Sequence, residues 1–381
     1  MSDTAKKTWI GVIILIVIII LGYLMFLGGN GSESDKEGGV ITIGFIGPLT
    51  GDYAAIGTGI KGAMQYAIDE VNKDGGIDGK TLQAIYEDDA CDPTMAANAV
   101  NKLVNVDKVT AIIGGTCSSA TLAGAPIAEA AGVPMISYAS TSPLVTTAGD
   151  YIFRDVPSDM LQATYIANYI YDNLNSPSVA VMYVNNDWGK GIATQFVESY
   201  KGTIVAEESH VEGATDLRTQ IAKVLDANPE VIYFPSYATD AISGIKQLDE
   251  AGVLDDITVI GGDSWDQASI WTDLGSIGEG MIYSRPANIE PTSEYTTGVA
   301  QYITPDQDSV YAARGYDAIM ILAQAMKTAK DLTGESIKDS LYNIQNLQGV
   351  ADNYSFDENG DLKSANYEIV QIKSSERVPL E

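Results

Sequence analysis

Two short hydroxyl-rich loops hold the residues of this sequence whose types and spacing could do chemistry. Ser118 and Ser119 follow Cys117 at the start of an Ala-rich segment of helical composition, and Ser140, Thr141 and Ser142 follow the apolar run 133–137. Residues 109–113, Val-Thr-Ala-Ile-Ile, are β-branched and apolar, and Gly114 and Gly115 break the run. The order is therefore strand, tight loop, helix, strand, loop. In an open parallel sheet both loops lie at the carboxyl edge, where ligands sit. A helix start presents backbone N–H groups without intrahelical partners and the positive end of the helix dipole, so its natural guest is an anion. The hydroxyls of Ser118 and Ser119 could instead be no more than N-caps; the second loop, 140–142, favours a carboxylate site.

A length of 381 residues with alternating strand and helix signals indicates two α/β lobes of ordinary size. A net charge of −29 excludes nucleic acid as a partner, since nothing could neutralise phosphates, and reads as a solvated surface. Lys6 and Lys7 precede an uninterrupted apolar run at 9–27. At ~1.5 Å per residue this run can cross a ~30 Å hydrocarbon core. The following residues show no small-residue cleavage pattern and no Cys for lipidation, which favours an uncleaved anchor over a signal peptide cut after Gly28 or Gly29. The lysines then stay inside and the rest is exported. The expected division is a cytoplasmic tail at 1–8, a transmembrane helix at 9–27 and a flexible tether at 28–39.

The body starts with an alternating strand from Val40 that stops in a Gly-Pro loop, then a helix at about 57–73. Within that helix Gly57, Gly59 and Gly62 make a formal dinucleotide fingerprint, but a true one sits directly in the turn after the strand. Small residues for close helix packing are the better account. A strand at 82–86 leads to Glu-Asp-Asp-Ala-Cys-Asp-Pro. Cys91 there and Cys117 in the first loop are the two cysteines, both expected at strand ends of one exported sheet, which predicts a Cys91–Cys117 disulfide. Asp88 and Asp89 read as turn or capping residues. After a link at 151–157 the pattern restarts: helix 160–174, strand 179–184, a helix opened by Asn-Asn-Asp-Trp-Gly-Lys-Gly, and strands 203–206, 231–234 and 257–260. Tyr237 and Asp263 follow two of these strands and would face the first lobe across a cleft.

From Val40 to the C-terminus the chain resembles the leucine/isoleucine/valine-binding proteins, receptors of branched-chain amino acid ABC importers with the type I periplasmic binding protein fold. The resemblance rests on ordered motifs: Ile-Gly-Pro-Leu-Thr-Gly at 46–51, residues 62–72, Asp-Asp-Ala-Cys-Asp-Pro at 88–93, Cys-Ser-Ser at 117–119 with 137–143, Asn-Asp-Trp-Gly-Lys-Gly at 186–191, Tyr-Asp-Ala at 316–318, and 356–361. It implies two doubly wound parallel-sheet lobes joined by a three-strand hinge, lobe 1 being 40–157 plus 287–345 and lobe 2 being 158–286 plus 346–381, with crossings near Pro157, Pro286 and Gln345. It further implies α-carboxylate and ammonium contacts at Ser118, Ala139, Ser140, Thr141, Tyr237 and Asp263, and a side-chain pocket at Ile56, Trp188 and Tyr311. The family often has Glu at the position of Asp263, so the anchor here is a methylene shorter.

The residues themselves agree with a receptor rather than an enzyme: no G-x-S-x-G elbow, no P-loop, no catalytic residue, no cofactor and no metal site is read. His210 sits in a polar stretch and reads as solvated, while Asp357-Glu-Asn-Gly-Asp361 resembles part of a calcium loop with a misplaced glycine and reads as a hairpin turn. Asp240 and Asp266 are acidic alternatives to Asp263, with Asp266 expected to be exposed. The expectation is a membrane-tethered extracytoplasmic receptor for a free amino acid with an aliphatic side chain, serving an ABC permease and its ATPase subunits. A ligand-sensing ectodomain on the same fold is the alternative.

Overall fold

The computed structural model describes residues 38–287, 291–305, 307, 309–374 and 376–380. The expected anchor at 9–27 lies outside the described residues, and among those described no helix is long and apolar enough to cross a membrane.

Strands β1 (Val40–Gly47), β2 (Thr81–Asp88), β3 (Ile112–Ile113), β4 (Met135–Ser137) and β5 (Ile152–Arg154) form a parallel sheet in the order β2-β1-β3-β4-β5. The inner strands β1, β3 and β4 read as apolar runs because both faces are covered, while β2 at the edge carries polar residues. Helices α1 (Ala54–Lys73), α2 (Pro93–Lys102) and α3 (Ser118–Ala131) alternate with them. On α1, Ile60, Ala63, Met64, Ala67, Ile68 and Val71 recur at helical spacing and are buried against Ile43, Phe45 and Ile136. Each such fully buried Ile or Phe contributes roughly 1.5–3 kcal/mol. Gly57, Gly59 and Gly62 lie inside α1 and press against Pro48, Gln307 and Tyr302, so they serve close packing.

The second lobe repeats the scheme with α4 (Asp159–Asn168), β6 (Ser178–Val184), α5 (Asp187–Ser199), β7 (Thr203–His210), α6 (Arg218–Asp226), β8 (Val231–Tyr233), α7 (Ala238–Glu250), β9 (Thr258–Gly261), α8 (Ala268–Leu274) and β10 (Ile282–Pro286). The chain then returns to the first lobe through α9 (Ser293–Val299), α10 (Val310–Thr328), α11 (Gly334–Tyr342) and a small hairpin of β11 (Leu347–Gln348) and β12 (Asn353–Tyr354). It ends in β13 (Tyr367–Lys373) and β14 (Glu376–Leu380), giving the sheet order β14-β13-β10-β9-β8-β6-β7.

Two details depart from the sequence reading. The second sheet is mixed, not parallel throughout: β10 leads out to the first lobe and β13 returns from it, so the two run antiparallel, and β14 pairs with β13 as a tight hairpin. The third crossing falls between Leu362 and Tyr367 rather than near Gln345, because Tyr354, Phe356 and Leu362 bury their side chains in the first lobe's core.

Candidate functional site

In each sheet the strand order reverses once, between β1 and β3 in the first lobe and between β6 and β8 in the second. Side chains part there and leave a crevice at the carboxyl ends. The two crevices face each other across one pocket at the carboxyl ends of both sheets. The first lobe lines it with Tyr53, Ile56, Thr116, Cys117, Ser118, Ala139, Thr141 and Tyr311. The second contributes Trp188, Tyr237, Asp263, Ser264 and Gln267.

The first wall is built from β3 and β4. Gly114 takes φ +144°, and a side chain there would collide with the Ile46 carbonyl, so the chain turns sharply off β3 only because this residue is glycine. Thr121 Oγ1 accepts from the Gly115 amide at 2.9 Å, and the Ser137 and Ser140 hydroxyls donate to the Gly115 carbonyl at 2.9 and 3.1 Å. Ser140 is thus committed to holding the turn and does not line the pocket. The turn delivers α3, whose N-cap position is Cys117, bridged to Cys91 with an S–S distance of 1.94 Å. A bridged sulfur cannot cap, and the helix has no side-chain cap. Ser118 is therefore the first helical residue rather than an N-cap, and the helix start opens onto the pocket. Its hydroxyl accepts from the Ser142 amide at 3.3 Å.

Behind this wall stands Arg154, fully buried at the end of β5. Its Nε and Nη2 donate to the two carboxylate oxygens of Asp361 at 2.6 and 2.7 Å, and Nη2 donates also to Thr146 Oγ1 at 2.7 Å. Nη1 donates to the carbonyls of Ser140, Thr141 and Ser142 at 3.3, 2.9 and 2.9 Å. The guanidinium collects the carbonyls of the 140–142 loop on its rear side. Asp361 reaches it from the hairpin turn at 357–361, where the Asp357 amide donates to the Asp361 carbonyl at 2.8 Å. The sequence reading missed this residue; its signal is a lone cation inside the apolar run of β5.

The second wall is aromatic and acidic. Trp188 stacks on Tyr237 at a centroid distance of 4.8 Å, and Tyr53 from the first lobe meets Tyr237 edge-on at 5.4 Å. Asp263 is buried; its Oδ2 accepts from the Tyr311 hydroxyl at 3.2 Å across the cleft. Its Oδ1 has no hydrogen-bond partner among the described residues. Burial raises the Asp263 pKa, and Asp159, buried nearby, is pushed well up by its own burial and by the charge of Asp263. Burial and the Asp263 carboxylate hold the Tyr311 proton on, so that hydroxyl remains a donor. No Lys or Arg is among the residues lining the pocket. The arrangement suits a small zwitterion: hydroxyls and a helix start for an anion on one side, a carboxylate for a cation on the other.

Apart from Ser140, the residues expected at the site from the sequence line this pocket. Tyr53, Thr116, Ser264 and Gln267 were missed, although Tyr53 stands one helical turn before Ile56. Two acidic-cluster expectations fail. His210 is buried, not solvated: its Nδ1 contacts the Val211 carbonyl at 3.0 Å and lies 3.9 Å from Asp240 Oδ2. Glu207 is exposed and Glu208 and Ser209 are half-buried along β7, while its last residue, His210, is buried. Asp266 is not exposed either, because Arg285, Arg377 and the Tyr283 hydroxyl converge on it at 2.7–3.1 Å.

Residues 40–377 match the family described as periplasmic binding protein. The chain belongs to the periplasmic binding protein family. Among relatives of this periplasmic binding protein is the leucine-, isoleucine-, valine-, threonine-, and alanine-binding protein of Pseudomonas aeruginosa, 28% identical over 337 residues that cover 87% of this chain and 89% of the relative. The branched-chain amino acid transporter substrate binding protein LivJ from Streptococcus pneumoniae, solved in complex with isoleucine, superposes with a TM-score of 0.79 at 30% identity, covering 90% of this chain and 99% of the other. A leucine binding protein LivK from Thermotoga maritima gives a TM-score of 0.81 at 26% identity, covering 90% and 98%. Periplasmic binding proteins of this kind are solute receptors and not enzymes.

Proposed function

We propose that this protein is an extracytoplasmic receptor that closes on one free amino acid with an aliphatic side chain and delivers it to an ABC permease with its ATPase subunits. The observation that carries the reading is the division of the pocket into an uncapped helix start beside Ser118 and Thr141 on one wall and the buried, half-satisfied Asp263 on the other. The α-carboxylate sits at the start of α3 and on the hydroxyls of Ser118 and Thr141, with the backbone near Ala139 alongside. The ammonium sits on Asp263, steadied by Tyr237. Ile56, Trp188 and Tyr311 receive the side chain, an apolar surface that favours leucine, isoleucine or valine over charged amino acids. The names of the relatives cited above support the same ligand class. The apolar run at 9–27, flanked by Lys6 and Lys7, is consistent with a single-pass anchor that keeps the receptor at the membrane beside its permease.

A thermal-shift screen of the purified protein against the common amino acids tests this. Aliphatic amino acids should raise the melting temperature, a ligand at a hundred times its dissociation constant adding about 2.7 kcal/mol of stability. A screen in which no amino acid shifts the transition, or in which only acidic or basic ones do, would contradict it.

A further inference from the structure

Glu212 lies at the mouth of the cleft, outside the pocket lining, and two hydrogen bonds from different lobes meet on it. The Asn186 amide donates to Oε2 at 2.7 Å and the Tyr53 hydroxyl donates to Oε1 at 2.8 Å. Asn186 is the N-cap of α5, its own Oδ1 accepting from the Gly189 amide at 2.9 Å, so one side of the carboxylate is fixed by the second lobe's framework. The other oxygen is presented to the first lobe. Tyr53 stands at the N-cap of α1, and its ring completes the aromatic row Tyr53, Tyr237, Trp188 across the opening. A second crossing bond, from the Ser142 hydroxyl to the Asp187 carbonyl at 2.8 Å, ties the 140–142 loop of the first lobe to the start of α5.

We propose that Tyr53 and Glu212 form the latch of the closed receptor and set how long a bound amino acid is retained, although Glu212 does not line the pocket. The bond joins residues of different lobes, so opening the cleft breaks it and returns both groups to water. It therefore adds stability to the closed state alone, and a contact made in one state alone shifts the equilibrium toward that state. The acceptor is a carboxylate, which strengthens the bond, and the rim is exposed, which weakens it; the resulting effect is about fivefold in affinity. Release requires opening, so the effect falls on the dissociation rate. Tyr53 lines the pocket with its ring, which Tyr53→Phe keeps, while the hydroxyl that variant removes points at Glu212; loss of the bond alone therefore scales every ligand by the same factor.

The ligand part of this inference rests on the amino-acid reading above. The experiment is a double-mutant cycle on the full chain, Tyr53→Phe, Glu212→Ala and both together, with leucine and valine as probes in titration calorimetry and stopped-flow release. Each single variant should weaken both ligands about fivefold, chiefly through faster release, and the double variant should be no weaker than either single one. Unchanged affinity in Tyr53→Phe, additive losses, or a loss confined to one of the two amino acids would overturn the latch. Should the wild-type protein bind neither probe, the amino-acid reading falls by itself. The latch is then read in ligand-free protein from the distance between spin labels at Asp74→Cys and Asp226→Cys, exposed positions on the two lobes. A smaller closed fraction in Tyr53→Phe supports it, and an unchanged distribution refutes it.

Discussion

The wall of the cleft built on β3 and β4 and the wall built on β9 hold their polar groups in different states of completion. On the first, the Thr121, Ser137 and Ser140 hydroxyls and the whole guanidinium of Arg154 are spent on fixing two loops. That leaves a preset surface of hydroxyls and a helix start, with no full charge to desolvate. On the second, Asp263 is buried with Oδ2 on the Tyr311 hydroxyl and Oδ1 without a partner among the described residues, and burial raises its pKa; Asp159 close by is buried too, its pKa raised by burial and by the charge of Asp263. A buried carboxylate with one oxygen left without a partner costs free energy. The first wall can thus accept a ligand as it stands, whereas the second gains most when a cation arrives. On the proposed reading, an incoming ammonium would satisfy the oxygen that the folded chain leaves without a partner, and closure would draw on that gain.

Breaking the first wall should have the largest effect. Arg154→Met leaves the Asp361 carboxylate without its cation, with only the Thr146 hydroxyl still donating to it, and takes one donor from each of three loop carbonyls; removing one partner of a buried pair costs about 3–5 kcal/mol. Denaturant unfolding should show that loss, together with failed ligand binding. A variant that keeps wild-type stability would mean that the 140–142 loop is held by other means.

On the second wall the sign for stability reverses. Asp263→Ala should weaken amino-acid binding by about 2–5 kcal/mol, at least thirtyfold in calorimetry, because the ammonium then stays buried without its partner. The ligand-free protein should melt no lower than wild type. The folded pKa of Asp263 is raised by burial, so its contribution is present at low pH and lost as pH rises through that value; above it the charged form is a burden that alanine removes. Gly262 caps the turn after β9 and Asp263 makes no side-chain cap, so a capping role does not predict this pairing of outcomes.

The smallest effect concerns Asp240, buried beside His210. Burial, reinforced by the charge of Glu212, raises its pKa to about 7. The folded state holds its proton more tightly than the unfolded state, so stability should fall as pH rises from about 4 to about 7. Asp240→Asn should flatten that slope and exceed wild type by on the order of 2 kcal/mol at pH 8, shrinking toward zero near pH 4. Parallel stability curves for the two proteins across this range would refute the assignment.

Much of this contrast was legible in the sequence on the ligand side and little of it on the supporting side. Strand ends, the Gly114-Gly115 break and the Ser-Thr loops are local signals, and they place Ser118, Thr141, Tyr237 and Asp263 at one cleft. Pairing Cys91 with Cys117 likewise needed only two strand ends of one sheet. Ser140 was misjudged because a hydroxyl in a loop looks the same whether it faces a ligand or a turn. Arg154, separated from Asp361 by 207 positions, and Asp266, gathered by Arg285 and Arg377, are tertiary pairs with no local trace of the partner. His210 differs for a related reason: its polar neighbours Glu207, Glu208 and Ser209 are exposed or half-buried, and only the fold shows that the last residue of β7 is buried.

The central claim, that each wall answers one charge of a zwitterion, is tested most directly by giving the protein half a ligand. Calorimetric titrations with leucine, with isocaproate, which lacks the amino group, and with isoamylamine, which lacks the carboxylate, should show both halves bound at least about thirtyfold more weakly than leucine, since each leaves one wall unanswered. Isocaproate binding within a fewfold of leucine would contradict the account, because Asp263 would then have no cation to hold.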